Sequence, residues 1–221
     1  MTRSLIGQSL AVNIPVGEVL LKADLTIPHS ATSVVVFAHG SGSSRHSNRN
    51  RFVAAELQAA GLATLLMDLL TESEESVDDV SGRLRFDIPL LARRLTAATD
   101  WITMEPATRA LMVGYFGAST GAGAALVAAA ERPDRVATVG ARGGRPDPAG
   151  DALARVRSAT LLIVGERDPL VLQLNKLALA NLTAAARLEI VPGATHLFEE
   201  PGALEMVAEL AREWFTRHLA A

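Results

Sequence analysis

A serine flanked by glycines at two-residue spacing, Gly117-Ala118-Ser119-Thr120-Gly121, follows the apolar run Leu111-Met112-Val113-Gly114-Tyr115-Phe116 and precedes the small-residue stretch Ala122-Gly123-Ala124-Ala125. This order predicts a buried strand that passes into a helix within about five residues, with the turning residue in strained backbone geometry and its side chain above the sheet. That residue is Ser119. Gly117 and Gly121 stand where a Cβ would collide with the neighbouring strand or helix. A hydroxyl at such an apex becomes a nucleophile only when a base takes its proton. The remaining question is which base, acid and hydrogen-bond donors the chain can bring to it.

The chain holds five histidines. His29 precedes the first buried strand at the wrong edge, and His218 lies near the end of the last helix. His46 sits in a polar loop where it could touch substrate. His39 follows a strand, but the Gly40-Ser41-Gly42 after it suits a backbone role. His196 closes the last strand after Pro192-Gly193 and is the best candidate base; a helix-capping or merely exposed role is the alternative. An imidazole needs an acceptor on its other nitrogen to fix its tautomer. Asp168, in Gly165-Glu166-Arg167-Asp168-Pro169, ends the preceding strand and fits, although it could be only the N-cap of the helix that Pro169 opens. Asp68 and Asp147 are the fallback acids. Attack on a carbonyl would place negative charge on its oxygen, which calls for two amide donors. Thr120, directly after the nucleophile, supplies one; Ser41 is the candidate for the other, with Gly42 second.

The elements that must position these residues follow from hydrophobic pattern. Residues 5–13 and 19–27 read as two strands joined around Pro15-Val16-Gly17, a hairpin at one sheet edge. Ser33-Val34-Val35-Val36-Phe37-Ala38 is a continuous run of the kind buried on both faces of a parallel sheet. A helix over residues 47–60 would place Phe52, Val53, Leu57 and Ala60 on one side. Residues 62–67, 135–141, 160–165 and 188–191 read as further strands. Helices are expected from Asp87 to Ile102, over residues 169–181 and over 203–218, the last with Glu213 and Arg217 paired on its wet side. The charged segment 71–81 reads as a solvated loop. Alternating strands and helices imply crossover connections and a mostly parallel sheet covered on both faces. Ligands collect outside the carboxyl ends of such strands, and Ser41, Asp68, Ser119, Arg142, Asp168 and His196 all follow strands and share that rim.

Composition excludes several classes. The chain has 221 residues, 49% of them hydrophobic and 20% charged, which favours one globular domain over residues 1–221. A net charge of −3 offers no basic excess for nucleic acid or an anionic membrane, and the absence of cysteine removes disulfides and thiolate chemistry. No leader-like segment or membrane span is apparent, so a cytoplasmic protein is expected. His and carboxylates are not clustered at metal-ligand spacing, and Gly40-Ser41-Gly42-Ser43-Ser44-Arg45 lacks the pattern of a nucleotide-binding loop. The oligomeric state, monomer or homodimer, is left open.

The Gly117-Ala118-Ser119-Thr120-Gly121 pentapeptide, the His39-Gly40 turn, Gly165-Glu166-Arg167-Asp168 and Gly193-Ala194-Thr195-His196 together resemble the α/β-hydrolase superfamily over nearly the whole chain. The short length without an inserted cap is similar to its dienelactone hydrolase-like branch. The resemblance implies a three-layer α/β-hydrolase fold with a mostly parallel sheet of about eight strands. It also implies a Ser-His-Asp triad of Ser119, His196 and Asp168, ester or lactone substrates and no cofactor. Dienelactone hydrolases proper use a cysteine nucleophile, which this chain lacks, and this favours a carboxylesterase. Other acyl transfer and a hydrolase-fold module that binds without turnover are the alternatives. Among the rim residues, His39, Gly40, Gly42, His46 and Arg142 are candidate substrate contacts. Arg45, Arg142 and Arg145 suggest either an acidic substrate group or ordinary solvation of surface arginines.

Overall fold

The computed structural model describes residues 9–220. Eight strands form one sheet in the order β1-β2-β4-β3-β5-β6-β7-β8. The hairpin β1 (Ser9–Val16) and β2 (Val19–Thr26) is antiparallel and lies at one edge, with β2 also antiparallel to β4 (Ala63–Met67). Residues 5–8 of the expected first strand lie outside the described residues. The remaining strands, β3 (Ser33–Ala38), β5 (Met112–Ala118), β6 (Val136–Arg142), β7 (Ala159–Gly165) and β8 (Ala186–Val191), run parallel with β4. The sheet and its antiparallel edge match what the hydrophobic runs predict.

The central strands explain the layering. Every residue of β3 is buried, so the sheet is covered on both faces. On one face α1 (Asn48–Ala59) packs with α6 (Ala203–His218) over Val35, Phe37, Phe116 and Ile163. The other face carries α3 (Ile88–Met104) and α4 (Thr120–Glu131), which enclose Val34, Val36, Tyr115 and Val139. Each large aliphatic side chain fully buried in this way contributes roughly 1.5–3 kcal/mol before entropy is counted. Helix α5 (Pro169–Asn181) borders β7 and β8 and packs on the 3-10 segment Asp147–Arg155.

Three local expectations are corrected. In α1 the buried face is Asn50, Val53, Ala54 and Leu57, whereas Phe52 and Ala60 are exposed. In α6 the ion pair that forms is Arg212 with Glu209, and Glu213 and Arg217 are not paired with each other. The charged segment is a helix, α2 (Glu72–Ser81), not a loop. Its only apolar residues, Val77 and Val80, are exposed, so it has no buried stripe. What holds it is polar. The Thr71 hydroxyl accepts the Glu74 amide at 3.2 Å while the Glu74 carboxylate accepts the Thr71 amide at 2.8 Å. Glu74 also pairs with the buried Arg94 at 2.6 Å, and buried Asp78 binds Arg85 and the Leu84 amide. Gly82 ends the helix in the left-handed region at φ 61. Thr71→Ala is expected to lower unfolding free energy by about 1 kcal/mol, read by urea denaturation, with faster amide exchange confined to α2.

Candidate active site

The geometry at Ser119 follows from how tightly β5 must turn into α4. Ser119 sits at φ 49 and ψ −120, a conformation that costs about 1–3 kcal/mol for a residue with a side chain. Three backbone bonds hold it there: its amide donates to the Arg142 carbonyl at 3.1 Å, and its carbonyl accepts the amides of Ala122 at 3.0 Å and Arg145 at 2.9 Å. The flanking glycines are steric necessities. A Cβ on Gly117 would lie 2.4 Å from the Ala122 Cα, and one on Gly121 would lie 2.3 Å from the Ala38 carbonyl oxygen. Gly121→Ala is therefore expected to push the β3 terminus away from α4. It should destabilise the fold by about 1–3 kcal/mol or more, visible as a lower denaturation midpoint.

His196 and Asp168 reach Ser119 because the loops after β7 and β8 are tied together. The Arg167 amide donates to the Ala194 carbonyl at 2.9 Å, and the Gly193 amide donates to Glu166 at 2.7 Å. His196 Nδ1 then lies 2.6 Å from Asp168 Oδ2, and Nε2 lies 3.3 Å from Ser119 Oγ. A carboxylate can only accept, so Nδ1 carries the proton and Nε2 is left free to accept from the serine hydroxyl. Asp168 occupies the N-cap position of α5, yet its side chain makes no capping bond and serves the imidazole instead. The fallback acids are engaged elsewhere. Asp68 binds the Arg45 side chain and accepts the Arg45 amide at 2.7 Å, while Asp147 pairs with Arg145 at 2.8 Å.

The candidate anion donors flank Ser119 in the chain and in its hollow. The Thr120 amide opens α4, where the helix dipole adds partial positive charge. Ser41 lies in a turn closed by the Ser43 amide on the Gly40 carbonyl at 3.2 Å, with Gly42 at φ 67. Among the described residues neither the Ser41 nor the Thr120 amide donates to another protein group. A Cβ on Gly40 would lie 3.2 Å from the Ser119 Cβ, so the turn rests directly against the nucleophile.

The other rim residues divide clearly. His39 is buried and uses both ring nitrogens on the backbone: Nδ1 donates to the Gly40 carbonyl at 2.9 Å and Nε2 accepts the Leu69 amide at 3.1 Å. Burial pushes its pKa down, so it is a neutral brace for the Ser41 turn rather than a polar substrate contact. His46 lies 2.6 Å from Arg51 and lines a hollow of about 440 Å³ beneath α2, beside Glu75. Burial and the carboxylates of Asp68, Asp79 and Glu72 raise the Glu75 pKa. A second hollow of about 230 Å³ holds Ser119, His196 and Arg142. Gly40, Ser41, Ser43 and Ser47 line both hollows, and only the smaller one reaches the Ser119 hydroxyl. Sequence reasoning passed over Arg49 and Asn50, which line the Ser119 hollow from α1. Asn50 could have been found as a polar residue on that helix's apolar face. Among the described residues no cluster of His, Cys, Asp and Glu is arranged to hold a metal ion, and no helix is long and apolar enough to cross a membrane.

A strained serine between a parallel sheet and a helix, facing an imidazole braced by a carboxylate, is set in an α/β-hydrolase fold. More specifically, the chain belongs to the dienelactone hydrolase family, which it matches over residues 21–220. It is 61% identical to the dienelactone hydrolase from Anabaena variabilis, covering 96% of this chain and 98% of that one at a TM-score of 0.95. Est1E from Butyrivibrio proteoclasticus shares the fold at 16% identity and a TM-score of 0.80, with 96% and 99% of the two chains covered. The chain is also 57% identical over 208 residues to a Mycobacterium tuberculosis protein named "Putative phosphoribosyl transferase", covering 94% of this chain and 46% of the relative. It thus spans less than half the length of that curated relative.

Proposed function

We propose that the protein is a serine hydrolase that cleaves small carboxylic esters through an acyl-enzyme. The observation that carries this reading is the continuous line from Ser119 Oγ to His196 Nε2 at 3.3 Å and from His196 Nδ1 to Asp168 at 2.6 Å. Ser119 Oγ attacks the ester carbonyl as Nε2 takes its proton, and the Asp168 carboxylate stabilises the imidazolium that forms. The Thr120 and Ser41 amides receive the carbonyl oxygen as it becomes negative; each such donor is worth about 3–4 kcal/mol of barrier in comparable sites. His196 returns the proton to the leaving alcohol. Water, activated by the same imidazole, then attacks the acyl-serine and restores the hydroxyl.

Carboxylesterase activity is favoured over cysteine-dependent lactone chemistry because the chain contains no cysteine. A lactone is an internal ester and meets the same groups, so the family match supports it as the second substrate class. The transferase name stays with the mycobacterial relative, more than half of which this chain does not cover. Hydrolysis of 4-nitrophenyl acetate, butyrate and octanoate, with a γ-lactone alongside, tests the reading. The modest hollow at Ser119 predicts a preference for the short acyl chains, and rates no higher than those of Ser119→Ala would identify a binding module instead.

A further inference from the structure

Asn175 is fully buried in α5, about two turns after Asp168 opens that helix. Its Nδ2 donates at 2.8 Å to the Gly144 carbonyl and at 2.8 Å to the Val171 carbonyl, which fixes the orientation of the amide. Oδ1 is left without a donor among the described residues. A buried acceptor with no partner is destabilising, so stability alone does not explain an asparagine here. The Val171 bond is local to α5. The Gly144 bond is not: among the described residues no other group donates to that carbonyl.

What this bond holds is the backbone around Ser119. A peptide unit is rigid and planar, so fixing its C=O also fixes the N–H on its far side. The Gly144 carbonyl shares its plane with the Arg145 amide, which donates to the Ser119 carbonyl at 2.9 Å. The Arg142 carbonyl, which accepts the Ser119 amide at 3.1 Å, shares its plane with the Gly143 amide, and that amide donates to the Ile163 carbonyl of β7 at 2.8 Å. Two planes therefore bracket the strained serine. β7 anchors one, and the Asn175 side chain anchors the other. Between them Gly143, at φ 52, lies against the base: a Cβ there would stand 3.1 Å from the His196 carbonyl oxygen and 3.4 Å from its Nδ1. The loop of residues 142–145 thus meets Ser119, His196 and, through Asn175, the helix that begins at Asp168.

We propose that Asn175 is a positioning residue of this site: by gripping the Gly144–Arg145 peptide from α5, it sets the Ser119 apex and the His196 ring relative to Asp168. The proposal deepens the esterase reading above and rests on it. Asn175 does not line the Ser119 hollow, so its loss should slow the chemical steps and leave substrate binding alone.

Asn175→Leu tests this. Leucine is nearly isosteric, lacks the donor, and exchanges one unpaired buried acceptor, Oδ1, for another, the Gly144 carbonyl, so the melting temperature should change little. With 4-nitrophenyl butyrate, kcat should fall about tenfold to a hundredfold while KM stays within about twofold of wild type. Phosphonylation of Ser119 by a fluorophosphonate should slow by a similar factor. The control is Asn181→Ala, which removes an exposed side chain of the same helix that donates to the Leu177 carbonyl at 2.8 Å; it should keep wild-type kcat. Asn175→Ala serves if the leucine variant does not fold. Unchanged kcat in Asn175→Leu beside an active wild type would overturn the proposal and spare the esterase reading. So would a rise in KM equal to the fall in kcat, an equal loss in Asn181→Ala, or failure of both Asn175 variants to fold. A second readout needs no turnover: the downfield NMR resonance of the His196 Nδ1 proton should shift or broaden in Asn175→Leu and persist in Asn181→Ala. A resonance identical in all three proteins would count against the positioning role even if no ester is hydrolysed.

Discussion

Ser119→Ala is expected to lower kcat for a short-chain 4-nitrophenyl ester by about four to six orders of magnitude with the fold unchanged. The size follows from what the side chain does. Without Oγ no acyl-enzyme can form, and neither His196 nor the Thr120 and Ser41 amides can replace a missing nucleophile. The residual rate should reflect only water attacking a carbonyl polarised by those amides. Stability should hold or rise slightly, because Ser119 carries a strained φ of 49 that alanine inherits while its hydroxyl makes no bond beyond the one to His196. Steady-state turnover alongside thermal denaturation separates the two effects. A variant that retains more than about a hundredth of wild-type turnover would remove Ser119 from the chemistry.

Asp168→Asn is expected to reduce kcat by about three to four orders of magnitude. The carboxylate accepts the Nδ1 proton at 2.6 Å and thereby leaves Nε2 free beside Ser119. An amide at the same place can turn its NH2 toward Nδ1, which stabilises the tautomer that carries the proton on Nε2. That tautomer cannot accept from Ser119 Oγ. The substitution also removes the negative charge that steadies the imidazolium. Because Asp168 makes no capping bond to α5, the loss should appear in kcat with little change in stability. A large fall in melting temperature with modest loss of turnover would instead mark Asp168 as a structural cap.

The fold was legible where burial dictates pattern. β3 is buried along its whole length and reads directly as a two-sided strand, and α5 and α6 begin and end where Pro169, Asn181, Ala203 and His218 predict. The α2 helix was not legible from hydrophobicity because it buries no apolar stripe; its sequence signal is the Thr71-Glu72-Ser73-Glu74 capping box, which the charge run overshadowed. Asn50 explains the misplaced face of α1, since a buried polar residue that meets Arg142 takes the position assigned to Phe52. At the site, chain order and strand ends were enough to bring Ser119, Asp168 and His196 to one rim. Spacing could not reveal which rim arginine lacks a carboxylate partner. Arg45, Arg142 and Arg145 look alike in the sequence, and only the folded chain pairs two of them and buries the third.

The direct test of the central claim is labelling of the folded wild-type protein with a fluorophosphonate, followed by peptide mass spectrometry. Stoichiometric phosphonylation of the peptide that contains Ser119, blocked by His196→Ala, is the predicted result. An unlabelled chain, or an adduct on another residue with Ser119 untouched, would contradict it.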